Sequence, residues 1–397
     1  MTGAPTTDPQ GTDAATRLPP RRNPYTVAVS HAVAAAFGAV LASVWLAPVR
    51  TATLPTPAPG PDPLRAEPAE FTWEQHPEAA FPLPPYAAFL RDATIVIDPG
   101  HGGREDRPNW KRGPTGLREE VVNLSVALHL RDFLRAAGAN VIMTRERDVY
   151  LDKADAVDLK MRAEIANRAR ADLLLSIHHN SAERAEANYT SVFYHGDPDD
   201  SPASVCAARH ILAGLNDALR LSQHIECAAL SDTVIYPKVG FAVLREAQVP
   251  AVLAESSFHS NPDEEARLRD PIYNRREAYG LFIGLARWAQ AGLPRVKLLG
   301  AERRRDNQTD VVIELDDGLS KRGGMAARSR KIIEQSISVR WGGAALPFSV
   351  DWEKRQLRMT LPAGAASKTL RVDFENVFGQ HVLHPLMELR GLSEPRP

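Results

Sequence analysis

The chain has 397 residues, a formal net charge of −1, 44% hydrophobic residues and 24% charged ones. That length exceeds one ordinary domain and suits two folded domains with tails, and the apolar and charged fractions are those of a globular protein. Near-neutrality provides no basic footprint, so no nucleic-acid partner is expected.

Residues 1–24 are rich in Thr, Pro, Gly and Asp and read as a disordered cytoplasmic tail. Residues 25–49 contain no Asp, Glu, Lys or Arg, and a hydrocarbon core is crossed by about 20 apolar helical residues. A transmembrane helix is expected there, with Arg21 and Arg22 keeping the N-terminus inside. A cleaved signal segment is the competing reading, and the length of the run favours an anchor. Residues 50–92 form a Pro-rich tether (Pro55, Pro57, Pro59, Pro61, Pro63, Pro82, Pro84, Pro85), with Phe71, Trp73 and Phe81 expected to pack where it meets the next domain.

Residues 93–294 alternate strand and helix. Strands are expected at 93–97, 141–144, 172–177, 192–194 and 250–254. Helices are expected at 119–137, 157–170, 202–221 and 272–290; Val122, Val126, Leu130, Phe133 and Leu134 mark the apolar face of the first. The fold class that follows is α/β, a mostly parallel sheet covered by helices on both faces. Cys206 and Cys227 are too few for a disulfide framework and read as two small buried side chains, with one bridge as the alternative.

Residues 295–397 change period. Val311, Ile313 and Leu315 alternate with other residues, as do Ile337, Val339 and Trp341, then Leu357, Met359 and Leu361, then Leu370, Val372 and Phe374. This is the pattern of half-buried strands, so a small all-β sandwich is expected to follow the α/β domain. It carries no concentrated His or carboxylate motif, and either a binding or a purely structural role suits it.

In open α/β sheets the ligand site lies beyond the carboxyl ends of the strands. His101 closely follows the first strand, His178 and Glu255 end two others, and Glu119 opens the first helix. Two His and one carboxylate with an open position form a catalytic zinc set. The metal lowers the pKa of water and polarises a carbonyl, and a further carboxylate moves the proton to the leaving amine. His101, Glu119 and His178 fill the ligand roles and Glu255 the catalytic one. Asp98 and Asn180 stand close enough in sequence to orient the ligands from behind. Each residue also has a plain reading: a turn residue at His101, a helix-dipole partner at Glu119 with Glu120 as decoy, a core histidine at His178 or His179, a salt-bridge partner at Glu255.

Four motifs carry a resemblance. IVIDPGHGG at 95–103, GLRE at 116–119 followed by Asn123 and Leu124, SIHHN at 176–180, and ESSFHSN at 255–261 look like those of the type 3 N-acetylmuramoyl-L-alanine amidases. They occur in the family's order, and Arg162 with Ala166 and Asn167 matches a further family helix. The resemblance implies a Zn2+ enzyme that cuts the amide between N-acetylmuramic acid and L-alanine in peptidoglycan, with His101, Glu119 and His178 as ligands and Glu255 as catalytic carboxylate. With residues 25–49 as anchor, the chain beyond them is expected in the cell envelope, outside the cytoplasmic membrane, and a protein activator is left open. The chain departs from the family in a long charged link at 104–112 and in His179, a position often small or apolar. It shows no obvious extra helix between Asn180 and Ala254 of the kind that blocks zinc in some relatives. His195 and His259 are spare histidines. Another exported zinc hydrolase, a peptidase or a deacetylase, and a non-catalytic wall-binding protein are the competing functions.

Overall fold

The structure, a computed structural model, describes residues 81–103, 111–225, 227–320, 331–362 and 369–389, all within one compact unit. The expected tail, the 25–49 segment, Phe71, Trp73 and residues 104–110 of the charged link lie outside the described residues. Among the described residues no helix is long and apolar enough to cross a membrane.

Six strands build the first sheet: β1 (Thr94–Pro99), β2 (Asn140–Met143), β3 (Leu173–Asn180), β4 (Ser191–Tyr194), β5 (Ala229–Ser231) and β6 (Ala251–Phe258). Their order is β2-β1-β3-β6-β4-β5. β2, β1, β3 and β6 are parallel, whereas β4 is antiparallel to β6 and parallel to β5. The sheet is therefore mostly parallel with one reversed pair at an edge. The connection from β3 to β4 holds no helix to bring the chain back, and a parallel crossover ordinarily needs one. β3 and β6 also run further than the apolar signal suggests, so His178 and Glu255 lie inside their strands rather than at the ends.

Among the described residues the α-helices are α1 (Glu119–Ala136), α2 (Asp155–Ala169), α3 (Pro202–Leu219), α4 (Ala242–Arg245), α5 (Pro262–Leu268) and α6 (Pro271–Ala291). The single turn α4 and the short α5 are absent from the sequence-based expectation. α1, α3 and α6 cover one face, packing on Ile95, Ile97, Leu175, Ile177 and Val252; α2 and α4 cover the other, packing on Val96, Leu174 and Leu253. Burial on both faces explains why these strands read as continuous apolar runs. α3 and α6 approach closely at Gly214, where a Cβ would stand 2.2 Å from the Gly280 carbonyl oxygen, so any side chain there forces the helices apart. Trp288 of α6 is 1% exposed, and truncating such a side chain to Ala costs about 3–5 kcal/mol.

The end of the expected tether has structure of its own. A 3-10 turn at Pro85–Leu90 packs on α6. Phe81 is buried, with its ring 5.3 Å from that of Tyr279 and 6.1 Å from that of Phe133. Both cysteines are free and Cys206 is buried, as the favoured reading expects, whereas Cys227 is exposed.

Beyond α6 lie β7 (Arg295–Arg303), β8 (Thr309–Asp316), β9 (Ser338–Trp341), β10 (Ala344–Ala345), β11 (Ser349–Asp351), β12 (Gln356–Leu361), β13 (Leu370–Asp373) and β14 (Leu386–Met387). They form two antiparallel four-stranded sheets, β10-β9-β13-β14 and β11-β12-β8-β7. Val311, Ile313, Leu357 and Met359 of one share a core with Val339, Trp341, Leu370 and Val372 of the other. This assembly meets the first sheet at its amino edge. Arg295 Nη1 pairs with Asp172 Oδ1 at 2.7 Å just before β3, and Asn376 Nδ2 donates to Ala291 O at 2.9 Å. The carboxyl edge of β1, β3 and β6 lies at the opposite end of those strands.

Candidate active site

The loop leaving β1 is held from behind by two buried guanidinium groups. Arg162 of α2 donates from Nη1 to Pro99 O at 2.9 Å and from Nη2 to His101 O at 2.7 Å. Arg145 donates from Nε to Pro99 O at 2.9 Å and from Nη2 to Gly100 O at 2.8 Å. His101 has φ 58, a left-handed conformation that costs a non-glycine residue about 1–2 kcal/mol. Such strain persists only when the surroundings over-determine it, and these four bonds do so. Burial and the neighbouring Arg162 lower the Arg145 pKa to about 10, so the group is still charged at neutral pH.

Asp98 balances this positive charge. It accepts from Thr144 Oγ1 at 2.6 Å, Ser176 Oγ at 2.7 Å and Arg162 Nη1 at 2.9 Å. Burial alone would raise its pKa, but the Arg162 charge and the hydroxyl bonds hold it below the usual carboxylate value. Its carboxylate is thus bound to these groups, and the sequence-based expectation that it orients a ligand imidazole finds no hydrogen bond of that kind. Asn180 Oδ1 accepts from Ser181 N at 2.8 Å, again away from an imidazole.

Glu119 stands in the first turn of α1 and His178 near the carboxyl end of β3. His101 Nε2 lies 3.2 Å and His178 Nδ1 3.0 Å from Glu119 Oε1. The two rings meet edge-on, with centroids 4.6 Å apart and an interplanar angle of 88°. The three ligand atoms all lie within 4.8 Å of one another. Asn123 Nδ2 and His179 N also donate to Glu119 Oε1, each at 3.2 Å, whereas Glu119 Oε2 is buried without a hydrogen-bond partner. Gly100 is required beneath this cluster, because a Cβ there would stand 2.2 Å from the His178 ring. The β3–β6 register shifts between His178 and Asn180, an irregularity of the kind that re-aims side chains beside active sites.

Burial would raise the Glu119 pKa, but His101 and His178 bring it well below the ordinary value. Burial lowers His178 to about 4, so its imidazole is neutral at physiological pH. One acidic oxygen and neutral imidazole nitrogen are the donor types zinc takes. Ligands at about 2.0–2.2 Å from one tetrahedral ion lie about 3.3–3.6 Å apart, slightly more than the 3.2 and 3.0 Å separations from Glu119 Oε1. The unpartnered buried oxygen gives a further reason for a cation here, so the residues fit the metal.

Glu255 of β6 is paired directly with His178 of β3, and facing residues on adjacent strands share a side of the sheet. Its Oε2 is buried without a hydrogen-bond partner. Burial, then the negative charge of Glu119, raise its pKa to about 8. The four residues singled out in the sequence thus come together at the carboxyl edge.

Other contributors escaped the sequence reading. Glu265 of α5 accepts from Thr115 N at 2.8 Å and Leu117 N at 2.9 Å, fixing the turn that leads into Glu119. His179 Nε2 lies 3.0 Å from Glu277 Oε2 of α6. Glu277 precedes Leu281 and Leu285 by one and two helical turns, and all three are fully buried; a carboxylate on such an apolar stripe is the signal that could have revealed it. Of the spare histidines, His195 Nδ1 lies 2.9 Å from Asp232 Oδ2, and His259 Nδ1 lies 2.9 Å from His179 O.

Comparison with known proteins gives this geometry a family. Residues 95–287 match the family described as N-acetylmuramoyl-L-alanine amidase. The chain is 31% identical over 214 residues to the germination-specific N-acetylmuramoyl-L-alanine amidase of Bacillus subtilis, covering 51% of this chain and 83% of that protein. It is 30% identical over 201 residues to the probable cell wall amidase LytH of Staphylococcus saprophyticus, covering 51% of this chain and 60% of LytH. Among solved structures, the CwlD amidase from Clostridioides difficile, in complex with the GerS lipoprotein, is 28% identical with a TM-score of 0.43, covering 50% of this chain and 98% of that one. The match to the Bacillus protein reaches across most of that protein's length, and the chain belongs to the N-acetylmuramoyl-L-alanine amidase family of hydrolases.

Proposed function

We propose that this protein is a zinc-dependent amidase that cuts the bond between the lactyl group of N-acetylmuramic acid and L-alanine in peptidoglycan, outside the cytoplasmic membrane. The observation that carries the reading is the grouping of His101, Glu119 and His178 around one point, with Glu255 paired opposite His178. The similarity to a germination-specific N-acetylmuramoyl-L-alanine amidase and to a probable cell wall amidase supports an envelope substrate, and the uncharged run at 25–49 after Arg21 and Arg22 supports export.

His101, Glu119 and His178 would hold the ion. Bound zinc would supply Lewis acidity, polarising the scissile carbonyl and favouring ionisation of the attacking water. Glu255 takes the proton from that water on its carboxylate and later gives it to the departing alanine nitrogen. The amide C–N bond breaks, a C–O bond forms, and the products are a lactyl carboxylate and a free amine. A cation beside Glu255 favours its ionised form, so the carboxyl that is raised in pKa without metal becomes available as a base when the site is loaded. Asn123 and the His179 backbone N–H steady Glu119, while Arg145 and Arg162 keep His101 in place.

The test is to incubate the purified full chain with peptidoglycan and analyse the products by mass. Release of stems with a free L-alanine amine, abolished by a chelator and restored by zinc, is expected. A cut within the stem or release of acetate would replace the reading with a peptidase or deacetylase, and binding without turnover with a wall-binding protein.

A further inference from the structure

Behind Glu119 runs a line of buried polar side chains drawn from three elements. Glu277 Oε2 of α6 lies 3.0 Å from His179 Nε2 of β3. His179 Nδ1 lies 2.8 Å from Asn123 Oδ1 of α1. Asn123 Nδ2 donates to Glu119 Oε1 at 3.2 Å and to Gly100 O at 3.3 Å. All four side chains belong to residues no more than 1% exposed.

The chemistry of the groups fixes the direction of every bond. The Gly100 carbonyl and the Glu119 carboxylate only accept, so Asn123 turns its NH2 to both and its Oδ1 to His179. That oxygen only accepts in turn, so His179 Nδ1 carries a hydrogen. The remaining nitrogen meets the Glu277 carboxyl with one proton between them. Without that partner the imidazole could adopt the other tautomer, whose bare Nδ1 would oppose Asn123 Oδ1 and release the amide. A buried ion pair is a poor source of stability compared with apolar side chains of similar volume, and Glu277 Oε1 has no hydrogen-bond partner at all. The line ends on a residue of the candidate metal cluster, and His179 meets that residue twice, through Asn123 and through its own backbone N–H.

We propose that Glu277 and His179 are positioning residues that lock the Asn123 amide and thereby hold the Glu119 carboxylate in the orientation zinc binding requires. The inference rests on the zinc reading above.

The experiment measures zinc affinity of the full chain by competition with a chelator, alongside thermal melting of the metal-free protein. Glu277→Ala and His179→Ala should each weaken zinc binding about 10–100-fold, the range for residues that orient metal ligands. Glu277→Gln can donate its amide hydrogen to His179 Nε2, which keeps Nδ1 protonated, so it should stay within about threefold of wild type. The double variant Asn123→Ala/Glu277→Ala should bind zinc no more weakly than Asn123→Ala alone, because both act through one route. A merely structural role would lower the melting temperature and leave zinc affinity unchanged. Unchanged affinity in a cooperatively melting Glu277→Ala or His179→Ala variant overturns the inference, as does a Glu277→Gln loss equal to that of Glu277→Ala. If wild type takes up no zinc, the underlying reading fails. If His101→Ala abolishes uptake while Glu277→Ala and His179→Ala do not alter it, only the positioning inference fails.

Discussion

Arg162 Nη2 donates to the carbonyl oxygen of His101 at 2.7 Å, so a guanidinium on a helix holds the backbone of a candidate metal-ligating histidine. The same group contacts Pro99 O and pairs with Asp98 and Asp158 at 2.9 and 2.7 Å. Lysine at this position keeps the charge but cannot reproduce the planar fork. Arg162→Lys should therefore destabilise the protein by about 1–3 kcal/mol, the cost of leaving buried acceptors without their charged donor. It should also weaken zinc binding, since His101 is no longer held in its left-handed conformation. Urea unfolding and chelator competition check both effects, and wild-type zinc affinity in this variant would show that the loop is held by other means.

Glu255 supplies a prediction about pH. Its pKa is raised to about 8 in the metal-free protein, first by burial and then by Glu119, against about 4.3 in an unfolded chain. Between those values the folded state binds more protons than the unfolded one, so this group makes stability fall as pH rises. Metal-free Glu255→Gln should show a flatter decline in that window, measured by urea unfolding at a series of pH values. In the loaded enzyme the same substitution should reduce kcat about 10²–10⁴-fold while leaving zinc affinity near wild type. Equal pH slopes for the two proteins would disprove the assigned proton site.

Metal removal gives a second handle on the cluster. A ligand that binds only the native state stabilises it by about 2.7 kcal/mol when present at 100 times its dissociation constant. Zinc should raise the melting temperature of the metal-free wild type, and the rise should vanish in His101→Ala and in His178→Ala. Differential scanning calorimetry with and without zinc makes the comparison. A full zinc-induced rise in His101→Ala would remove that residue from the ligand set.

The features legible in the sequence are those with a local signature. The first apolar strand, the Asp-Pro-Gly-His-Gly-Gly loop and the α1 stripe each announce themselves within a few residues, and topology then brings His101, Glu119, His178 and Glu255 to one edge. The supporting groups lack such a signature. Arg145 and Arg162 act on carbonyl oxygens, which have no identity in the sequence. Glu277 reaches His179 across 98 positions, and only its place on an apolar helical stripe distinguishes it. Asp98 shows the reverse limit: its closeness to His101 along the chain suggested one contact, while three buried donors from other elements claimed its oxygens. The reversal of β4 depends on the absence of a crossover helix, a tertiary outcome.

The junction between the α/β sheet and the antiparallel sheets carries a prediction with the opposite pH sign to that of Glu255. Asp172 accepts from Thr94 N at 2.9 Å and pairs with Arg295 Nη1 at 2.7 Å. Burial would raise its pKa, but the nearby His384 imidazole, 3.9 Å away and too far for a hydrogen bond, and the paired Arg295 guanidinium outweigh this and depress it to about 2. A depressed carboxylate stabilises the fold fully above its unfolded value of about 3.9 and progressively less as pH falls toward the folded one. Arg295 is 43% exposed, so solvent screening limits its share, and Asp172→Asn should cost about 1–2 kcal/mol at pH 7, a modest charge-assisted contribution. The gap between wild type and Asp172→Asn should narrow between pH 4 and pH 2, because the unfolded wild-type carboxylate takes up its proton there while the folded one, at about 2, is only half protonated at the end of the window. Guanidinium unfolding at pH 7, 4 and 2.5 measures it. A gap that stays constant, or widens with acid, would mean that the contact acts through packing rather than through the ion pair.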